Sequence, residues 1–201
     1  MKTWIALAAA MTLSAGTAPA AANPIVGKAA PAFSLTDAHG KRHSLSDYAG
    51  KTVVLEWFNP ECPFVKKHYG AGNMQKQQTD ARDAGIVWLT VNSSAKGKQG
   101  HLDGDAANAI MAEWKAAQTA VLLDHDGMMG HAYGARTTPH MFVIDGAGVL
   151  RYNGAIDSIP SADPDDIADA KQYVAAALGA LAKGAVVDPA LGQPYGCSVK
   201  Y

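Results

Sequence analysis

Two cysteines occur among the 201 residues, Cys62 and Cys197. The first sits where a thiol becomes reactive. It follows a β-branched and aromatic run, Thr52 to Phe58, and a short Asn-Pro loop, and Pro63 comes directly after it. Proline suits the first position of a helix, where its fixed φ helps and its missing N–H is not needed. Cys62 is therefore expected at a helix N-terminus, with its thiol exposed. Unpaired backbone N–H groups and the helix dipole stabilise a thiolate there, and Lys66, Lys67 and His68 would add positive charge in the first turns. A thiolate attacks a disulfide sulfur or a peroxide oxygen, so the chemistry expected is thiol redox. A packed, inert cysteine is the alternative. A second chemical candidate lies just upstream. Glu56 is an acid inside an otherwise apolar run; burial raises a carboxyl pKa and suits it to proton transfer with a thiol. An acid satisfied by a lysine at the sheet edge is the competing reading.

These residues need elements to hold them. Phe33 and Leu35 alternate with smaller neighbours before the turn Asp37-Ala38-His39-Gly40, which predicts an N-terminal hairpin with Lys41 to Ser44 as its return. One helical turn over Ser44 to Tyr48 stops at Gly50. Thr52 to Phe58 is apolar on both faces, as in a central strand covered on both sides. The helix after Cys62 is interrupted by Gly70 and Gly72, and Asn73 is expected to cap a second one over Met74 to Asp83. Ile86 to Asn92 is the next strand. Asp105 is the expected cap of a helix that buries Ile110, Met111, Trp114 and Ala117. Ala120 to Leu123 is a third core strand, followed by a short helix ending at Tyr133-Gly134. Met141 to Ile144, the turn Asp145 to Gly148, and Val149 to Gly154 form an antiparallel pair. Asp163 and Pro164 are expected to open the last helix, with Ile167, Val174, Leu178 and Leu181 as its buried stripe. Alternating strands and helices imply parallel neighbours joined by right-handed crossovers. The expected class is α/β, a mixed central β-sheet flanked by helices, with an N-terminal β-hairpin extension and a C-terminal tail.

Composition narrows the function. A net charge of −1 and a pI near 6.6 give no electrostatic case for nucleic-acid binding. Residues 1–22 carry Lys2, an apolar stretch and then small residues with A-x-A cleavage patterns at Ala18-Pro19-Ala20 and Ala20-Ala21-Ala22, the pattern of a secretory signal peptide. The domain is expected over 23–184 and the tail over 185–201. The mature protein is expected to be periplasmic or secreted, without stable membrane insertion, in a compartment that permits a disulfide. His125, Met128, Met129, His131, His140 and Met141 cluster in sequence, but no pair has a reliable ligand spacing. No metal and no cofactor are expected.

The stretch VVLEWFNPECP resembles the thioredoxin superfamily, in which a strand and an aromatic-rich loop lead to Cys-Pro at a helix start. YGARTTPHMFVID is similar to that superfamily's second landmark, a cis-proline loop entering a strand. The segment GKAAPAFSLTDAHGKRHSLSDYAGKTVVL resembles the redoxin branch. That branch includes peroxiredoxins of the alkyl hydroperoxide reductase and thiol-specific antioxidant types, and periplasmic thiol–disulfide oxidoreductases. The ending GCSVKY is similar to a peroxiredoxin-like subgroup with one cysteine in the active loop. The departures are informative. Val65 stands where disulfide oxidoreductases place their second cysteine. Leu55 and Asn59 stand where peroxiredoxins place a proline and a threonine.

The resemblance implies a thioredoxin-like fold and the following roles. Cys62 is the nucleophile and Glu56 the proton shuttle. Thr138 and cis Pro139 form a rest for a substrate strand beside Cys62, with Pro63 and Arg136 at its rim; local capping is the alternative for Arg136. Cys197 is the candidate resolving thiol, bridging to Cys62 within a chain or between chains; an unpaired tail cysteine is the alternative. The expected partners are a thiol or disulfide protein or a peroxide as substrate, and an electron-donor thiol protein. The competing class is a non-catalytic thioredoxin-fold protein that binds a client or handles copper.

Overall fold

A computed structural model describes residues 24–201, so the leader expected over 1–22 lies outside the described residues. At the centre is a five-stranded sheet. Its strands are β3 (Val53–Trp57), β4 (Val87–Asn92), β5 (Ala120–Leu123), β7 (His140–Ile144) and β8 (Leu150–Gly154), in the order β5-β4-β3-β7-β8. β3, β4 and β5 run parallel, and β7 and β8 continue the sheet antiparallel. The crossovers are helical: α1 (Pro63–Gly70) and α2 (Asn73–Asp83) join β3 to β4, and α3 (Gly104–Glu113) joins β4 to β5. α4 (Met128–Tyr133) leads to the two-residue β6 (Thr137–Thr138), and α5 (Tyr173–Ala182) follows β8. The hairpin β1 (Ser34–Thr36) and β2 (Arg42–Ser44) forms as expected. This is a thioredoxin-like fold with a mixed central sheet flanked by helices.

Each of the five residues of β3 is buried, and alternation sorts them between two cores. Val53, Leu55 and Trp57 join the layer under the hairpin and α4. Val54 faces the opposite layer, which also holds Phe58, Cys62, Val65 and Tyr69 and is covered by α1, α2 and α5. A strand buried on both faces accounts for the run without alternation that marks it in the sequence.

Three local expectations are corrected. Gly72, in the left-handed conformation at φ 73°, precedes α2, and Asn73 is the first helical residue; the Asn73 amide is spent on His68 and Gln172. Asp103, not Asp105, caps α3 by accepting from the Ala106 amide at 2.9 Å, because the helix starts earlier at Gly104. Asp163 and Pro164 open a separate 3-10 turn, Pro164–Ala168, and the last helix begins afresh at Tyr173. The acid-proline pair thus starts a shorter element than the helix expected of it. Ile167 therefore lies in that turn, while Val174 is the fully buried member of the α5 stripe.

Candidate functional site

Cys62 occupies the N-cap position of α1 in an extended conformation, with Pro63 next in line. Its carbonyl accepts the Lys66 amide at 2.9 Å, so the helix starts on this residue. The loop before it is rigidly held. Asn59 accepts the Glu61 amide at 2.8 Å through its side chain, an Asx turn, and Glu61 accepts the Gly100 amide at 3.0 Å. Asn59 is therefore a loop organiser at the place where peroxiredoxins carry a threonine. Val65 is fully buried in the core.

The thiol is not exposed as expected: Cys62 has 0% exposure. Its sulfur donates to the Thr138 carbonyl at 2.9 Å, across the loop in which the Thr138–Pro139 bond is cis. The C-terminal tail covers both. Residues Cys197–Ser198 form a short strand, β9, antiparallel to β6, with Cys197 directly opposite Thr138 and Ser198 opposite Thr137. The Val199 amide donates to the Arg136 carbonyl at 3.1 Å, and the Ala95 amide to the Lys200 carbonyl at 2.8 Å. Tyr201 donates to the Ala135 carbonyl at 2.8 Å and stacks on His131 at 4.0 Å. Gly196 makes this approach possible. Its φ is +130°, and a Cβ there would lie 2.0 Å from the Thr138 carbonyl oxygen. Both cysteines are free thiols.

The sequence-predicted residues thus divide. Cys62, Thr138, Pro139 and Cys197 converge, and Pro63 sits exposed beside them at the helix start. Arg136 is exposed and enters the assembly through its backbone, taking the Val199 amide. Glu56 lies deeper. Its carboxylate accepts from Tyr69 at 2.9 Å, Trp88 at 2.8 Å, Thr90 at 3.1 Å and Gln78 at 3.2 Å, and no hydrogen bond joins it to Cys62. Two of the cations expected near the thiol are also diverted. The side chains of Lys67 and His68 are fully buried, each 3.8 Å from the Asp157 carboxylate. Sequence reasoning missed Asp157 and Tyr195; the one signal for them is Tyr195 itself, an aromatic residue two positions before Cys197. The methionine–histidine cluster disperses: Met128 is exposed, Met129 and Met141 belong to opposite cores, and His140 bonds Asn153 at 2.8 Å.

Comparison with known proteins decides the family. The AhpC/TSA family matches this chain over residues 26–153. The chain belongs to the AhpC/TSA family. Among its relatives is the thiol-disulfide oxidoreductase ResA of Geobacillus thermodenitrificans, 28% identical over 133 residues that span 63% of this chain and 67% of ResA. Among solved structures, a hypothetical protein of Sinorhizobium meliloti is 23% identical with a TM-score of 0.75, covering 90% of this chain and 96% of that one. The exposed lipoprotein thioredoxin Etrx1 of Streptococcus pneumoniae is 26% identical with a TM-score of 0.50, covering 69% and 96%. The AhpC/TSA match ends at residue 153, so the tail that brings Cys197 to the site lies beyond it.

Electrostatics separate the two thiols of this AhpC/TSA chain. Burial pushes the Cys62 thiol up, but the Cys197 and Thr138 side chains and the Cys197 and Val65 amides outweigh it by holding the thiolate. The Thr138 carbonyl favours the protonated form, and the set of donors prevails. Cys62 therefore ionises below an ordinary thiol. Cys197 moves the opposite way, raised first by burial and then by the Cys62 sulfur beside it. Of the two thiols, Cys62 is the one that ionises more readily.

Buried titratable groups also predict how stability follows pH. Burial lowers His68 and His140 each to about 4, so both are neutral when folded. The unfolded chain binds more protons between about 4 and 6.5, hence stability rises with pH across that window, by roughly 3 kcal/mol for each histidine. Glu56 has the opposite sign. Burial raises it to about 6, so its contribution is greatest below 4.5 and falls by about 2 kcal/mol as pH rises to 6. Urea unfolding is expected to show a net loss of roughly 4 kcal/mol from these three groups on acidification from pH 6.5 to 4. An imidazole resonance of His68 or His140 titrating near 6.5 in the folded protein would contradict this.

Proposed function

We propose that this chain is an exported thiol–disulfide oxidoreductase in which Cys62 attacks and Cys197 resolves. The observation that carries the reading is the register of the tail: Cys197 stands opposite Thr138, whose carbonyl takes the Cys62 thiol. A disulfide substrate meets the Cys62 thiolate, one substrate sulfur leaves, and a mixed disulfide forms at Cys62. Cys197 then attacks the Cys62 sulfur, passes its proton to the departing thiolate, and leaves the Cys62–Cys197 bridge. An electron-donor thiol protein reduces the bridge. The tail strand occupies the Thr137–Thr138 edge at rest, and its displacement frees the Thr138–Pro139 loop to take a substrate strand, with Pro63 and Arg136 at its rim. Glu56, at about 6, is the buried acid that exchanges protons with the site. No hydrogen bond joins it to Cys62, so the transfer runs through intervening groups or water. The relationship to ResA, a protein named for thiol–disulfide oxidoreduction, supports disulfide exchange. Among the described residues no helix is long and apolar enough to cross a membrane.

One observation favours peroxide as a second substrate. The active loop has a single cysteine, and the second thiol already lies beside it, ready to condense with a sulfenic acid. Comparing reduction of a polypeptide disulfide with consumption of a hydroperoxide, each with excess donor thiol, tests the proposal. Faster turnover of the disulfide is expected. Peroxide consumption with the disulfide untouched would move the function to a peroxidase, and turnover of neither would leave a binding protein.

A further inference from the structure

A second polar assembly lies beneath the tail, away from the sulfur atoms. The Asn73 amide donates to His68 Nδ1 at 2.9 Å. That leaves the His68 proton on Nε2, which meets the Tyr195 hydroxyl at 3.2 Å, and the tyrosine hydroxyl in turn donates to Asp157 Oδ1. The neutral state of His68 fits this chain of donors. Asp157 Oδ1 also accepts the Ile159 amide at 3.1 Å, while Oδ2 accepts no hydrogen bond and lies 3.8 Å from Lys67 Nζ. Lys67 donates instead to the Ile159 carbonyl at 3.3 Å.

A buried ion pair of this kind adds little stability over a well-packed apolar group. What it supplies is direction: one fixed acceptor that a hydroxyl on the tail can find. The elements it joins are telling. Lys67 and His68 belong to α1, the helix that begins on Cys62, and Tyr195 lies on the tail just before Gly196 and Cys197. The Tyr195 ring also meets Phe64 of α1 edge-on at 5.7 Å. The helix that owns the first thiol thus holds the segment that owns the second.

We propose that Tyr195 is a positioning residue for Cys197. Its hydroxyl, held between His68 and Asp157, sets where Gly196 and Cys197 cross the Thr138 carbonyl, and so sets the rate of closing the Cys62–Cys197 bridge. Its loss is therefore expected to slow bridge closure without slowing the first meeting of Cys62 with a disulfide. The inference rests on the reading of Cys197 as resolver. Tyr195→Phe removes the hydroxyl that His68 and Asp157 share, while Asp157 Oδ1 keeps the Ile159 amide and the ring keeps Phe64.

The two steps separate with dithiobis(nitrobenzoate) as the disulfide. Attack by Cys62 releases one coloured thiolate and leaves the other half on Cys62. Attack by Cys197 on the Cys62 sulfur releases the second coloured thiolate and closes the bridge, so two protein thiols are oxidised and one reagent disulfide is reduced. In stopped flow on the full chain, Tyr195→Phe is expected to leave the first phase unchanged or faster and to slow the second about tenfold. Tyr195→Ala, which also removes the ring contact, is expected to slow the second phase further. An unchanged second phase in both variants overturns the positioning role alone, as does equal slowing of both phases. A wild-type chain that never shows the second phase overturns the resolver reading and the positioning role with it.

Discussion

Cys62→Ser is expected to abolish disulfide reduction, with turnover falling at least about a thousandfold, to the rate of uncatalysed exchange between donor and substrate. Serine is nearly isosteric and can still donate to the Thr138 carbonyl that the thiol meets at 2.9 Å, so the fold should survive. The loss is chemical. The donors that pull the Cys62 thiol below its ordinary pKa cannot bring a hydroxyl to ionise near neutral pH, and oxygen forms no disulfide. Cys197→Ser should fail differently, with the attack by Cys62 on the substrate intact and the protein trapped as a mixed disulfide after one round. A coupled assay with excess donor thiol, run beside an unfolding curve for each variant, checks both outcomes. Normal turnover in Cys62→Ser would remove the nucleophile from the account.

Gly196→Ala carries the second large effect. The backbone there has φ +130°, a conformation that costs a non-glycine residue on the order of 1–3 kcal/mol. The added Cβ would also sit 2.0 Å from the Thr138 carbonyl oxygen, which is backbone and has no rotamer to yield. The β6–β9 pair must open, and with it the alignment of Cys197 opposite Thr138. Bridge closure is expected to slow about a hundredfold, as an oriented thiol becomes one on a loose tether. Cys62, now uncovered, should be alkylated faster than in the parent protein. Alkylation kinetics followed by mass spectrometry read both changes, and an unaltered rate of bridge closure would contradict the role given to the tail.

The residues that made the fold legible were those whose local signals agreed with their burial. The β-branched run at Thr52 to Phe58, Pro63 after Cys62, and the turn at Asp145 to Gly148 each lie where periodicity and turn chemistry put them. Caps were harder. Asp103 and Asp105 are equally good capping residues by type, and the choice depends on where the chain enters α3. Likewise Asp163-Pro164 marks a helical start without revealing that a 3-10 turn would end before Tyr173.

At the site, Cys62, Thr138 and Pro139 were readable because motif and geometry coincide. Charge was not. Lys67 and His68 look like a basic first turn, yet the helix turns both inward to Asp157, far along the chain, and burial leaves His68 neutral. The tail was readable only as a possibility. Its two-residue strand has no periodicity of its own and forms because the Thr137–Thr138 edge offers pairing, with Tyr195 and Tyr201 fastening it on either side. Such contacts join residues widely separated in sequence, where local patterns carry no information.

The central claim is that Cys62 and Cys197 of one chain form the working thiol pair. Peptide mass spectrometry without reduction, after one equivalent of a small disulfide, tests it most directly. A Cys62–Cys197 bridge is expected in a protein that still runs as a single chain, with neither cysteine open to alkylation. A protein that keeps the oxidant's half on Cys62, while Cys197 remains free to alkylate, would contradict it.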